Sequence, residues 1–179
     1  MEVTVIKTTY FLDHPGYGWP DKRWLARYFL TPAGRQTAFG KDNDSWSVTA
    51  ECVDGTERLP REKQIDIDLY IIGEPDLGVL LFYDRWSATD GVSYYSKGNL
   101  RMLRQWIVTR HRTRLPVGLF IPFEQALKAV VEFTETDGAL PKCVEWVAPS
   151  DLPEGTFPEP VVTIRDAQVK VGDLKLEDL

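Results

Sequence analysis

The chain has 179 residues, of which 43% are hydrophobic and 27% charged, a balance that excludes a disordered protein. A chain of this length can bury one good core, so we expect a single domain. No apolar run reaches the roughly 20 residues that a membrane-spanning helix needs, and residues 1–10 lack the layout of a signal peptide. Cys52 and Cys143 fit the reduced thiols of a cytoplasmic protein better than a disulfide framework.

Charge is distributed unevenly along the chain. The net charge is −6, yet six of the basic residues lie between Lys97 and Arg114, where no acidic residue occurs. An acidic chain is a poor general binder of nucleic acid, because contacts with phosphate supply most non-specific affinity. It suits a basic protein partner, since complementary fields speed encounter. The alternative is an acidic surface that only keeps the protein soluble.

The first half of the chain is predicted to contain strands and one short helix. A strand is expected over residues 2–10, followed by a loop rich in glycine and proline. Asp21 can cap a short helix over residues 22–30, which a turn at 31–34 would end. From Ser45 to Val53, hydrophobic residues recur at every second position, as in a strand with one buried face.

The clearest alternation in the chain follows. Its apolar members are Ile65, Ile67, Leu69 and Ile71. A turn at 73–78 leads into a second strand at 79–86, and Gly91–Ser96 is a third, so we expect an antiparallel meander. The segment Arg101–Arg114 is compatible either with a strand or with one face of a helix.

The segment from Leu115 to Trp146 contains the main predicted helix. Pro122 suits the first turn of a helix, and Gly138 supplies a left-handed stop. The residues at helical spacing are Phe123, Ala126, Leu127, Val130 and Val131. Cys143–Val147 then has strand composition, and we assign Trp146 to the core.

Prolines become frequent after Trp146. We therefore expect a domain over residues 1–150 and a proline-rich connector with a C-terminal extension over residues 151–179. Within the extension, Val161–Arg165 and Gln168–Val171 could form a terminal hairpin or an extended segment.

The helix motif E-x-A-L-x-A-V-x-E-F, followed by G-x-L-P-x-x-V-x-W, resembles immunity protein family 1 of bacterial polymorphic toxin systems. The resemblance covers roughly Ile65 to Trp146, with residues 79–83 and 90–95 at the position of that family's central hairpin. It implies a protein that binds and neutralises a cognate toxin, often a nucleic-acid deaminase encoded by the adjacent gene. With the predicted elements, we expect a single α+β domain whose mostly antiparallel sheet carries the main helix on one face.

Candidate catalytic groups are few. His14 and His111 lie far apart in sequence, and no cluster has metal-ligand spacing, so we expect neither an enzyme nor a cofactor or metal. Cys143 is interpreted as a buried thiol in a core strand. Asp66 and Asp68 would share one strand face. One interpretation is a solvated outer face, and the alternative function is an enzymatic or small-molecule site that uses these two carboxylates.

Aromatic residues are numerous, with six tryptophans and seven tyrosines. Interfaces are enriched in such side chains. We expect the toxin to be occluded by the end of the sheet that carries Trp86, Asp90, Tyr94 and Tyr95, with Asp84 adding charge. The alternatives are tyrosines that only pack across strands, and binding through the basic segment Arg101–Arg114. We expect no direct contact with nucleic acid or with a membrane.

Overall fold

The computed structural model of the chain describes residues 5–40 and 43–158. Eight strands lie in this part of the chain: β1 (Ile6–Tyr10), β2 (Ser45–Glu51), β3 (Asp66–Glu74), β4 (Gly78–Trp86), β5 (Gly91–Ser96), β6 (Trp106–Val108), β7 (Arg114–Pro116) and β8 (Trp146–Val147). Two helices, α1 (Lys22–Phe29) and α2 (Pro32–Phe39), lie between β1 and β2, and α3 (Phe123–Glu135) lies between β7 and β8. No helix among the described residues is long and apolar enough to cross a bilayer.

Six of the strands form one antiparallel sheet. Its order is β1-β2-β3-β4-β5-β8, and β6 pairs with β7 in a separate two-stranded ribbon. Strands β3, β4 and β5 follow one another in both sequence and space, so the predicted meander is confirmed. The α+β class and the mostly antiparallel sheet are confirmed with it. The first strand is confirmed from Ile6, and residues 1–4 lie outside the described part.

Helix α3 lies on one face of this sheet. Its buried residues are Phe123, Ala126, Leu127, Ala129, Val130, Val131 and Phe133. Pro122 is the N-cap residue, one position earlier than predicted. Gly138 adopts φ 89° and its N–H donates to the Phe133 carbonyl at 2.9 Å, which confirms the left-handed stop.

The helix-side core fills the space between the sheet and the three helices. Strand residues at alternate positions supply one wall, and the other wall comes from the helices and the β1–α1 loop. Its largest fully buried side chains are Phe11, Leu25, Phe29, Phe39, Leu69, Ile71, Leu81 and Phe133. The apolar alternation in β2 and β3 therefore serves this core, because side chains at every second position of a strand share one face.

A smaller second core covers one end of the opposite face of the sheet. Its buried members are Leu80, Leu103, Leu115, Leu119, Phe120 and Val147. The chain from 100 to 120 supplies most of them, including the β6–β7 ribbon. Residues 151–158 also pack here, since Leu152 contacts this core and the Trp106 indole N–H donates to the Thr156 carbonyl at 2.9 Å. The rest of the predicted extension, including the hairpin at 161–171, lies outside the described residues.

One local prediction near the N-terminus is corrected, and the alternatives left open for the basic segment are resolved. The turn expected at 31–34 is instead the start of α2, because the Thr31 hydroxyl accepts the Gly34 N–H at 3.0 Å and Pro32 occupies the first turn. The predicted cap of α1 is confirmed, with the Asp21 carboxylate accepting the Trp24 N–H at 2.7 Å. Of the two alternatives for Arg101–Arg114, a strand forms over Trp106–Val108 and again from Arg114, while Leu100–Met102 is a short 3-10 helix.

The segment after α3 also differs from the prediction. Cys143 is exposed rather than buried in a core strand, and β8 contains only Trp146 and Val147. The reason is that the Glu132 carboxylate accepts the backbone N–H groups of Lys142 and Cys143 at 2.9 and 3.0 Å, which holds this segment against α3. Trp146 is half-buried against the helix-side core, not fully inside it. Both cysteines are free, as expected.

Replacing Leu127 by alanine tests the position of α3. Leu127 is buried in the helix-side core, so Leu127→Ala should lower the free energy of unfolding by about 2–5 kcal/mol, measured by urea denaturation. Lys128→Ala, at the exposed neighbouring position of the same helix, should change it by less than about 0.5 kcal/mol. Equal effects of the two substitutions would contradict the packing of α3 described here.

Candidate functional site

The second core leaves part of one sheet face uncovered. Side chains that lie on this part alternate along β3 and β4 with those in the helix-side core, and β5 continues the pattern. We call this surface the acidic–aromatic face, defined by Asp68, Tyr70, Phe82, Asp84, Trp86 and Tyr95. Phe82 and Tyr95 form its border with the second core, against which they pack. Register places Asp68 directly opposite Asp84, and Tyr70 opposite Phe82.

An aromatic row crosses this face. The ring centroids of Tyr70 and Phe82 are 5.9 Å apart, those of Phe82 and Tyr95 are 4.6 Å apart, and those of Tyr95 and Phe157 are 5.0 Å apart. Tyr70 is 37% exposed and Phe157 is 40% exposed. Rigid rings of this kind offer much apolar contact area at little cost in rotamer entropy, which suits a surface that another protein can bury.

Two carboxylates lie beside the aromatic row. Asp68 is held on both oxygens, since the Thr49 hydroxyl donates to one at 2.6 Å and the Trp86 indole N–H donates to the other at 3.0 Å. Asp84 is half-buried, and within residues 5–40 and 43–158 it has no hydrogen bond or ion pair. Burial raises the pKa of the Asp84 carboxyl above its ordinary value, and the nearby charge of Asp68 raises it further.

Both tyrosines of the row, exposed Tyr70 and half-buried Tyr95, are affected by these acids. Burial, followed by the charges of Asp68 and Asp84, raises the pKa of the Tyr70 hydroxyl. Burial and Asp84 likewise raise the pKa of Tyr95. Like charges directly opposite one another in a sheet repel. A cationic group placed over Asp84 would relieve that repulsion, and the neutral tyrosines would contact its aliphatic part.

The residues predicted to bind the toxin do not all share a surface. Asp84, Trp86 and Tyr95 lie together on the acidic–aromatic face, where Trp86 is 38% exposed. Tyr94 points to the opposite side and packs against the helix-side core, as neighbouring strand residues must alternate. Asp90 is exposed in the β4–β5 turn, where its carboxylate accepts the Gly91 N–H at 2.9 Å.

Three members of the face were missed as binding residues. For Asp68 the sequence pattern predicts a solvated outer face or an enzymatic or small-molecule site, and it predicts no binding role for Tyr70 or Phe82. The tight turn between β3 and β4 is the sequence feature from which these three residues could be predicted, because the turn fixes which residues face each other across the hairpin. Phe157 has no such signal, since only the tertiary fold brings it to Tyr95.

The alternative site at Asp66 and Asp68 is not supported. Asp66 is only 2% exposed, so a solvated outer face is wrong for this residue. One of its oxygens accepts the Cys52 N–H at 3.0 Å, and the other lies 2.7 Å from the Arg61 guanidinium. This carboxylate holds the end of β2, where Cys52 has φ 59°. In the described part of the chain, no three His, Cys, Asp or Glu side chains group so as to hold a metal ion.

The family comparison agrees with the sheet and helix just described. The model of the family described as immunity protein Imm1 matches residues 44–148, more than half of the chain. The chain belongs to the Imm1 family. The match begins near the start of β2 and ends just after β8, so it contains the whole acidic–aromatic face but not Phe157, which stacks on Tyr95. Searches of curated proteins and of solved structures found no match.

Membership of the Imm1 family confirms the resemblance inferred from the α3 motif and gives the protein a role as an immunity protein. Such a protein acts by binding a cognate toxin, which suggests a role that is not enzymatic. The functional site is therefore a protein-binding surface, and exposure, aromatic content and charge are the properties that matter.

Replacing Asp84 by asparagine should stabilise the protein at pH 7. The folded-state pKa of Asp84 lies above the ordinary value of 3.8, so the ionised form is disfavoured in the folded protein. That cost is present above the folded pKa and disappears below 3.8, where the group is protonated in both states. Thermal denaturation should show a higher Tm for Asp84→Asn at pH 7 and a shrinking difference as the pH falls.

Asp76→Asn is the matched control for this experiment, because Asp76 is exposed in the β3–β4 turn and should leave the Tm unchanged at either pH. A lower Tm for Asp84→Asn at pH 7 would show that the Asp84 carboxylate stabilises the free protein, contrary to its position beside Asp68.

Proposed function

We propose that this Imm1 protein neutralises a toxin that acts on nucleic acid, and that it does so by covering the toxin's active site with the acidic–aromatic face. The observation that carries the proposal is the half-buried Asp84 carboxylate, which lies opposite Asp68 among exposed aromatic rings. An uncompensated charge of this kind destabilises the free protein, so its presence is better explained by a partner than by the fold.

Charge indicates the chemistry of that partner. An enzyme that acts on nucleic acid needs a basic channel for the phosphate backbone. The chain has a net charge of −6 and presents two carboxylates on one uncovered sheet face. Lysine or arginine side chains from the channel would pair with these carboxylates. Binding would then exclude the substrate without any chemical step.

A nucleic-acid deaminase is the toxin class that the resemblance implies. A deaminase must admit an unstacked base to a pocket lined for stacking and hydrogen bonding. The aromatic rings of Tyr70 and Trp86 are exposed beside the carboxylates and could cover the mouth of such a pocket. We expect the toxin to be encoded by the adjacent gene and to be met in the cytoplasm, where it would otherwise reach nucleic acid.

The basic segment is the rival surface. Part of it is tied into the fold, since the Arg110 backbone N–H donates to the Asp44 carboxylate at 2.6 Å and its guanidinium donates to the Gly40 carbonyl. A surface used in this way is less free to bind a partner. On the acidic–aromatic face, Tyr70 and Trp86 are more than one-third exposed, and Asp84 has no hydrogen bond or ion pair within the described residues. We favour this face for that reason.

The test is co-expression with the product of the adjacent upstream gene, followed by a pull-down and a measured Kd. Asp84→Ala and Trp86→Ala should each weaken binding by about 1–4 kcal/mol, because centrally placed aromatic and charged residues dominate interfaces of this type. Arg114→Ala, on the exposed basic ribbon, should leave the Kd within about twofold of wild type.

Circular dichroism should show that the variants are folded. Full-strength binding by folded Asp84→Ala and Trp86→Ala, with loss of binding in Arg114→Ala, would place the interface on the basic ribbon and refute the proposal.

A further inference from the structure

We infer that a strand of the toxin adds to the sheet of this protein by pairing with the open backbone edge of β5. The inference rests on the proposed function, because it assumes a protein partner at this end of the sheet. It concerns a different feature, however, since it depends on backbone groups and not on the side chains of the acidic–aromatic face.

The observation is an incomplete pairing. Strand β5 pairs with β4 from Gly91 to Tyr95, but on its other side β8 pairs only with Tyr95 and Ser96. Pro149, two residues beyond β8, begins a 3-10 turn that lies near β5 but does not pair with it as a strand. Among the described residues, the stretch 91–94 therefore has no strand beside it on the β8 side.

The register shows which backbone groups lie on that open side. The Lys97 N–H donates to the Glu145 carbonyl at 2.9 Å, so the backbone groups of Lys97 face the β8 side. Backbone groups alternate sides along a strand, so those of Ser93 also face it, while those of Val92 face β4. The Gly91 N–H is already bound by the Asp90 carboxylate. Ser93 is thus the residue that offers both a donor and an acceptor to an added strand.

The edge strands at the two ends of the sheet differ in how far their outer backbone groups are covered. Strand β1, at the far edge, is covered by its own loop, with the Thr9 N–H donating to Gly16 and the Gly18 N–H donating to Lys7. Natural proteins usually blunt an uncovered edge with proline, lysine or a bulge. Residues 91–94, Gly-Val-Ser-Tyr, contain no proline or lysine, and their register with β4 is regular. This edge is therefore ready to accept another strand.

Charge favours the toxin over a second copy of this chain as the occupant. Ser93 lies directly opposite Asp84 in the register, and Asp90 is exposed just before the edge. A second copy paired at the same edge would bring its own Asp84 and Asp90 towards these, in a chain of net charge −6. A toxin strand with lysine or arginine at the position facing Ser93 would instead place a cation on the acidic–aromatic face. Main-chain pairing would supply affinity, and that side chain would supply specificity.

Amide hydrogen exchange with the purified toxin domain of the adjacent upstream gene product tests this directly. In the free protein, the Ser93 amide should exchange quickly, and the Val92 and Tyr94 amides, which pair with β4, should exchange slowly. In the complex, exchange at Ser93 should slow by about 100-fold or more, because its N–H becomes hydrogen-bonded within a sheet.

Ser93→Pro provides a second measurement. It removes the outward N–H without removing a bond to β4, and should weaken binding at least about tenfold, whereas Ser93→Ala should bind as wild type. The Val92 and Tyr94 amides of free Ser93→Pro must stay protected, which reports that β5 is intact.

The outcomes separate the two proposals. A complex that depends on Asp84 but leaves the Ser93 amide unprotected overturns the strand addition alone. Protection of Ser93 in the free protein, together with a dimer on gel filtration, overturns it in favour of a second copy. Failure of the wild-type protein to bind the toxin domain overturns the proposed function and this inference together.

Discussion

The register of the β3–β4 hairpin is the constraint on which the other features depend. Nine positions pair in an unbroken run, from Asp66 opposite Trp86 to Glu74 opposite Gly78. A slip of one residue would turn one of the two strands over, which would bring either Asp68 or Asp84 into the helix-side core and expose that strand's apolar residues. Gly78 helps to fix the hairpin, because a Cβ at this position would lie 2.3 Å from the Ile121 carbonyl oxygen, and Val79 exchanges two backbone hydrogen bonds of 2.9 Å with Ile121.

The two faces of the sheet serve different ends. Three helices cover one face completely enough that Leu69, Ile71 and Leu81 are inaccessible to solvent. The second core covers part of the other face, from Leu80 near the β3–β4 turn to Val147 on β8, and it packs against one side of Phe82 and Tyr95. What remains uncovered carries charge and aromatic rings in place of more aliphatic packing. The buried helix-side core stabilises the strands. The opposite face can therefore carry the two opposing carboxylates, Asp68 and Asp84, although their repulsion is unfavourable by itself.

Much of the fold could be predicted from the sequence because its signals were local. The alternation in β3, the cap at Asp21 and the stop at Gly138 each depend on residues close in the chain. The predictions were wrong where the local structure depends on a contact with a distant residue or on a choice between two competing local contacts. Thr31 and Pro32 fit the end of one helix or the start of another, and only the bond to Gly34 separates these. Cys143 was misplaced because Glu132, eleven residues earlier, holds its backbone N–H.

The candidate site was predictable to the extent that it depends on strand alternation. Alternation alone implies that Tyr94 and Tyr95 face opposite sides, which the structure shows. The pairing of Asp68 with Asp84 needed the hairpin register as well. That no residue in the described part of the chain pairs with the Asp84 carboxylate could not be predicted, since it depends on every side chain around that carboxylate.

The hydrophobic core of this protein extends beyond the segment that matches the family, because large side chains from the N-terminal segment are buried in it. The family match begins at residue 44, yet Phe11, Leu25, Phe29 and Phe39, all before it, are among the largest fully buried side chains. A fragment that contained only the matched residues would leave an apolar groove along the sheet and α3. In this chain, the matched segment therefore depends on the residues before it to complete its hydrophobic core.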